Sequence, residues 1–290
     1  MRLRTAIFGV LLFLQSALVL TGGAVRLTGS GLGCPTWPEC TPGSYTPVPY
    51  QAEGQLHAWI EFGNRLLTFA LLLSALIAVI YVLYSGRKDL RSLAAGQVLG
   101  IFGQGILGGI TVLTDLHPLP VAGHLLLSMF LIAGATSLYS RRHEPHIKVS
   151  APTKTVSLLS QTHIAISFIV LTLGTIVTGS GPHAGDEKAQ RFSFDIRTVA
   201  ILHADAVIFL MGLTIALLVA ASVTRSTKKA IYIFFGISLA QGGVGYAQYL
   251  TGIPELLVAI HLAGATIFWI AAWRIRLSVV RTSQQERDQK

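Results

Sequence analysis

Charge is scarce in this chain of 290 residues: Asp, Glu, Lys and Arg together make up 12% of it. Soluble globular domains carry about a quarter, so the composition excludes an ordinary soluble domain. In place of charge stand long apolar runs, with 52% of residues hydrophobic. A run of about 20 apolar residues suffices to cross a hydrocarbon core of roughly 30 Å. Eight such runs occupy 6–25, 57–84, 92–113, 119–140, 155–178, 199–223, 230–250 and 255–275. The expected fold class is an all-α polytopic membrane protein with eight transmembrane helices. No small-residue cleavage pattern follows Thr21-Gly22-Gly23-Ala24-Val25-Arg26, so the first run reads as a retained helix rather than a signal peptide.

Acidic residues are the scarcer sign, 13 against 22 basic ones, giving a formal net charge of +9. In a soluble protein such an excess points to nucleic acid. Here its distribution accounts for it. All Lys and Arg except Arg26, Arg65, Lys188, Arg191 and Arg197 fall on one side of an eight-span arrangement. The positive-inside rule then predicts cytoplasmic termini and outward loops at 26–56, 114–118, 179–198 and 251–254. The expected surroundings are the lipid bilayer of the cell membrane, with no nucleic-acid partner.

Cysteine is limited to Cys34 and Cys40, within Cys34-Pro35-Thr36-Trp37-Pro38-Glu39-Cys40 of the first outward loop. On the oxidising side a structural disulfide is one reading. A redox-active dithiol that relays electrons is the other. The two are compatible, because a strained small-loop disulfide is reducible.

The chain echoes itself. Gln104-Gly105-Ile106-Leu107-Gly108 starts 20 residues before His124, and Gln241-Gly242-Gly243-Val244-Gly245 starts 20 before His261. The first span of each half ends alike, Thr28-Gly29-Ser30-Gly31 against Thr178-Gly179-Ser180-Gly181. Two four-helix units are expected, 1–144 and 145–290, divided in the polar linker that begins Arg141-Arg142-His143-Glu144-Pro145. With four helices each they would be parallel, pseudo-symmetric repeats. The glycines of the third span suit close helix packing, the commoner use in membranes, or a flat macrocycle.

Four histidines, His57, His124, His203 and His261, lie near the outward ends of alternate spans. Imidazole is costly in lipid and is a good axial ligand of haem iron. Each alone would be read as a hydrogen-bonding residue between helices. Recurrence at matching depth favours ligation: His203 and His261 as a bis-imidazole clamp for a haem that transfers electrons. In the first half His124 matches His261, but depth alignment puts Asn64, a poor iron ligand, opposite His203. His57, seven residues before Asn64, would ligate only a porphyrin seated further out. Glu61 shares a helical face with His57, Asn64 and Arg65. It reads either as an ion-pair partner of Arg65 or as a carboxylate beside a reacting carbon. Arg26 and Arg65 suit porphyrin propionates, Arg26 equally an interfacial anchor. His163 is read as a packing residue, His117 as loop-borne, His143 and His146 as linker residues. His183 is a candidate for the mouth of a site, and Asp205 for a partner of His203.

These stretches resemble the haem A synthase family. The resemblance is carried by Gly22 through Cys40, by Glu61-Phe62-Gly63-Asn64-Arg65, and by His124, His203 and His261 in order and spacing. It covers essentially the whole chain. It implies two pseudo-symmetric four-helix bundles, a haem b cofactor held by His203 and His261 in the second half, and the substrate haem O in the first. There the C8 methyl of haem O would become a formyl group, with His124, His57, Asn64 and Arg65 around the substrate and Glu61 as catalytic residue. It also implies that Cys34 and Cys40 form the loop disulfide. Expected partners are a haem O synthase and a membrane electron donor. Asn64 departs from the family's usual Glu-x-x-His-Arg, in a form similar to the actinobacterial branch.

Two other classes compete. A diheme b-type cytochrome would gain from two equivalent bis-imidazole sites, and Asn64 with Glu61 argues against it. A secondary transporter predicts interrupted helices at the midplane, whereas the polar residues here gather near one surface.

Overall fold

A computed structural model describes residues 2–143, 153–187, 189–220 and 225–285. Its regular structure is helical: α1 (Arg2–Leu27), α2 (Gln55–Tyr84), α3 (Arg91–Leu113), α4 (Pro118–Ser140), α5 (Lys154–Ser180), α6 (Ile196–Ala220), α7 (Arg225–Leu250) and α8 (Glu255–Gln285), with a 3-10 turn at Lys88–Leu90. All eight are long and apolar enough to span a membrane, as the eight hydrophobic runs predict. The helices mostly overrun those runs by a few residues, because backbone hydrogen bonding continues past the apolar stretch into the polar boundary.

Contacts divide the chain into two units, Met1–Arg142 with Thr175–Ile196, and His143–Gly174 with Arg197–Lys290. The linker containing Glu144 and His146 lies outside the described residues. The segment Thr175–Ile196 packs with the first unit through main-chain bonds: Gly31 N–H donates to Gly185 O at 2.9 Å, and Phe192 N–H to Gly179 O at 2.9 Å.

In the first unit α1 packs on α2 and α4, and α3 on α2 and α4, closing a ring of four helices. One end is a filled core of Phe8, Leu11, Leu71, Ala75, Val82 and Leu138. It is closed by Asp89 between Arg87 (2.8 Å) and Arg141 (3.2 Å). Between core and site, Gln15 donates to Gln97 at 2.9 Å and Gln97 to Leu131 O at 3.1 Å. The opposite end carries the Cys34–Cys40 loop and the polar residues of the site.

In the second unit α7 packs on α8. Aromatic contacts tie α5 to both: His163 meets Phe234 edge-on at 4.7 Å, and Phe168 meets Trp269 at 5.8 Å. His163 is 1% exposed and lies 3.2 Å from the Thr214 hydroxyl of α6. It is a buried packing residue, as its isolated position predicts.

The sequence echo extends to backbone geometry. Leu116 N–H bonds Thr111 O at 2.9 Å, and Ile253 N–H bonds Gln248 O at 2.8 Å. Both residues adopt left-handed φ, 58° and 61°, and follow left-handed Asp115 and Gly252. This is a helix C-cap that satisfies otherwise orphaned carbonyls. It delivers α4 and α8 at the same register, so His124 and His261 each stand six positions after their helix start.

Candidate functional site

The second unit brings its two predicted imidazoles together. Rings of His203 on α6 and His261 on α8 have centroids 6.4 Å apart. His203 Nδ1 lies 3.0 Å from the Val170 carbonyl of α5. A carbonyl only accepts, so Nδ1 carries the hydrogen and Nε2 keeps the lone pair. Orienting a ligand histidine through its other nitrogen is the usual arrangement at metal sites. His261 Nδ1 is buried without a hydrogen-bond partner. Small residues flank both rings: a Cβ at Gly174 would stand 3.4 Å from His203 Cε1, and one at Gly245 3.3 Å from His261 Cε1. Asp205, two residues beyond His203, is exposed, and the Val170 carbonyl takes the orienting role expected of it.

These residues fit a haem. Two metal–imidazole bonds of about 2 Å each separate the nitrogens by roughly 4 Å, and ring centres 6.4 Å apart accommodate that span. Two imidazoles supply two ligands; a porphyrin supplies the other four.

The first unit contains one imidazole in the equivalent place. His124 Nδ1 is buried with no partner, like that of His261. Its backbone is held from α3: Gln104 Nε2 donates to His124 O (3.1 Å) and to Ser128 Oγ (2.7 Å), and Ser128 Oγ donates to His124 O (3.1 Å). Gln241, the echo of Gln104, packs its side chain onto Gly264 of α8, where a Cβ would overlap it. Both glutamines therefore grip the histidine-bearing helix within about one turn after its imidazole. The fixed 20-residue Gln-to-His spacing was the sequence signal for this grip. Asn64 Oδ1 accepts from the Thr21 hydroxyl at 2.7 Å.

His57 stands apart from His124, at the first turn of α2. Its Nδ1 is 3.2 Å from Ser30 Oγ and 3.2 Å from Gly29 O. It lines a cavity of about 330 Å³ with Gly29, Leu32, Pro35, Glu53 and Asp186. The loop reaches it because Gly33 lies against the first turn of α2, where a Cβ would overlap the His57 carbonyl.

Glu61 and Arg65 form the ion pair of the first reading, at 2.5 Å. Glu61 is 6% exposed. Its second oxygen accepts from Cys34 N at 2.7 Å. Arg65 donates to Cys34 O (2.8 Å), Thr36 O (3.2 Å) and Glu39 O (3.1 Å). Each of its nitrogens thus has a partner, and Arg65 binds the loop rather than an open space where a propionate would sit. Trp37 lies under the guanidinium, 5.3 Å from its carbon, and presses on Gly109 of α3, where any side chain would overlap the indole. Cys34 and Cys40 are joined in a disulfide and both fully buried. Sequence reasoning placed Glu61 and Arg65 on one face of α2 but missed that this face clasps the disulfide loop; local spacing carries no signal for a partner 26–31 residues away.

Of the remaining candidates, His117 caps α4 by accepting from Leu119 N at 3.3 Å. The His183 carbonyl accepts from Arg26 Nε, and Thr178 O from Arg26 Nη2 at 2.8 Å.

Eight helices long and apolar enough to span a membrane, a facing pair of half-buried imidazoles in one unit and a further half-buried imidazole in the other define a polytopic membrane protein. Residues 5–185 match the COX15-CtaA family, described as cytochrome oxidase assembly protein, and the chain belongs to that family. Among similar proteins is Heme A synthase of Sinorhizobium fredii, 25% identical, with 91% of this chain and 87% of that protein covered. Heme A synthase of Shewanella oneidensis is 26% identical over 86% and 88% of the two chains. That of a Bradyrhizobium species is 25% identical over 88% and 85%.

Proposed function

We propose that this chain is a haem A synthase, an oxidoreductase that converts the C8 methyl of haem O to a formyl group. Two successive hydroxylations, each a two-electron oxidation of the methyl carbon that adds one oxygen atom from an oxidant entering from outside the protein, give a gem-diol, which loses water. The reading is carried by the facing His203 and His261 rings, 6.4 Å apart, in a member of this family. The second half, 145–290, would hold haem b through these two imidazoles. Bound there by His203 and His261, haem b would supply one-electron transfer.

The first half, 1–144, would hold the substrate. His124 offers its imidazole to the substrate iron, with His57 or no residue opposite it; Asn64, engaged by Thr21, leaves that position weak. Glu61 places its carboxyl group near the reacting methyl, where positive charge develops as hydrogen is removed. Arg65 pairs with that group and ties it to the loop, which shields the site from water. The chain would lie in the cell membrane with both termini cytoplasmic, as the distribution of basic residues supports. Haem O would come from a haem O synthase, and electrons from a membrane donor.

The test is expression in cells that make haem O but no haem A, followed by mass spectrometry of extracted pigments. Haem A should appear with the intact chain and be lost with His124→Ala and Glu61→Ala. Persistence of haem O alone with the intact, reduced protein sinks the reading.

A further inference from the structure

We infer that Arg26 and Arg191 form a carboxylate-binding site in the first unit, which takes the propionate edge of a porphyrin beside the His57 cavity. This rests on the haem O reading above.

A guanidinium withdrawn from water near apolar chain is usually met by a carboxylate, which it binds bidentately. Arg65 meets Glu61, and Arg87 and Arg141 share Asp89, whereas Arg142 and Arg276 meet the neutral Tyr139 O and Ser160 Oγ. Arg26 and Arg191 are of the second kind, and differ in donating to adjacent carbonyls. Arg26 donates to the carbonyls of Thr178 and His183. Arg191 donates through Nη2 to the carbonyl of Pro182, and its Nη1 is buried with no acceptor at all. The two guanidiniums thus converge on consecutive carbonyls, Pro182 and His183. Among the described residues neither is paired with an acid, although Asp186 and Glu187 lie in the same segment. Two like charges held together, one with an idle buried donor, are completed by an anion.

The position selects the anion. Gly185, fixed by its bond to Gly31, is the hinge between the arginines and the cavity. A Cβ there would lie 3.7 Å from Arg26 Cα and Cγ, and the next residue, Asp186, lines the cavity with His57 and Gly29. The substrate of the function proposed above, a porphyrin, is a ligand of this kind: its macrocycle is apolar and its propionates lie at one edge. Arg191 comes from the α5–α6 segment, so the second half of the sequence would supply a substrate contact to the first unit.

The experiment uses the full chain in detergent, already carrying its b-type haem, titrated with ferric haem O and with its dimethyl ester, followed by absorbance. The intact chain should bind the free acid about tenfold more tightly than the ester, the difference expected for one charge-assisted contact. Arg191→Gln, which keeps an N–H donor for Pro182 O but loses the charge, should bind the ester as before and lose the preference. Arg191→Lys should keep part of it. Full preference in a folded Arg191→Gln protein, or none in the intact chain, overturns the inference. So does loss of a co-purified anionic lipid from Arg191→Gln with propionate preference unchanged, which would make the occupant a headgroup. If haem O is bound and oxidised without an ester preference, only this inference fails; if haem O does not bind, the proposed function fails with it.

Discussion

The two units carry the same scaffold and different chemistry. Each has the left-handed C-cap before its histidine-bearing helix, a histidine six residues in, and a glutamine 20 residues upstream gripping that helix. In the second unit a second imidazole completes the pair, oriented by the Val170 carbonyl. In the first unit the corresponding depth holds Asn64 bonded to Thr21, and the polar effort goes into a clasp of Glu61 and Arg65 on a disulfide loop. On the function proposed above, a duplicated bundle keeps one half as a closed, two-imidazole site while the other offers one imidazole beside a loop-clasping ion pair. A closed coordination sphere suits electron transfer; an open one under a cap suits chemistry on the ligand itself.

The largest effect should come from removing half of the imidazole pair. His203→Ala or His261→Ala is expected to abolish the reduced-minus-oxidised b-type absorption of the purified protein. A full low-spin spectrum in either variant would break the contrast between the units.

A smaller effect should follow from opening the clasp. Arg65→Met leaves the Glu61 carboxylate buried without its partner, a loss of about 3–5 kcal/mol, while Glu61→Gln keeps an acceptor for Cys34 N–H and should cost about 1–3 kcal/mol. Thermal unfolding in detergent ranks them, and equal midpoints for the two variants would show that the clasp is not what holds the loop.

The mildest change should sharpen the comparison. Asn64→His gives the first unit an imidazole at the position aligned with His203, at the cost of the Thr21 bond, about 1 kcal/mol. Electron paramagnetic resonance of the variant loaded with haem should then show a second bis-imidazole, low-spin signal. An unchanged spectrum would mean that residue 64 does not face the iron.

Much of this was legible in the chain because it is encoded locally. Apolar run length sets the eight helices, and the Gln-to-His and Thr-Gly-Ser-Gly echoes mark the repeat. His203, His261 and His124 announce themselves as imidazoles where lipid makes imidazole expensive. The i, i+4 spacing put Glu61 and Arg65 on one face and offered their ion pair as one of two readings.

What the sequence determined by itself was therefore the set of helices, their repeat and the side chains able to hold a porphyrin, since these depend on composition and on periods of a few residues. Only the tertiary structure decided which groups meet. The His203–His261 gap, the Val170 carbonyl behind His203, the grip of Arg65 on a loop 26–31 residues away and the return of Thr175–Ile196 to the first unit are contacts across long loops. They are fixed by how helices pack and which carbonyls the packing leaves open, and no local pattern records that.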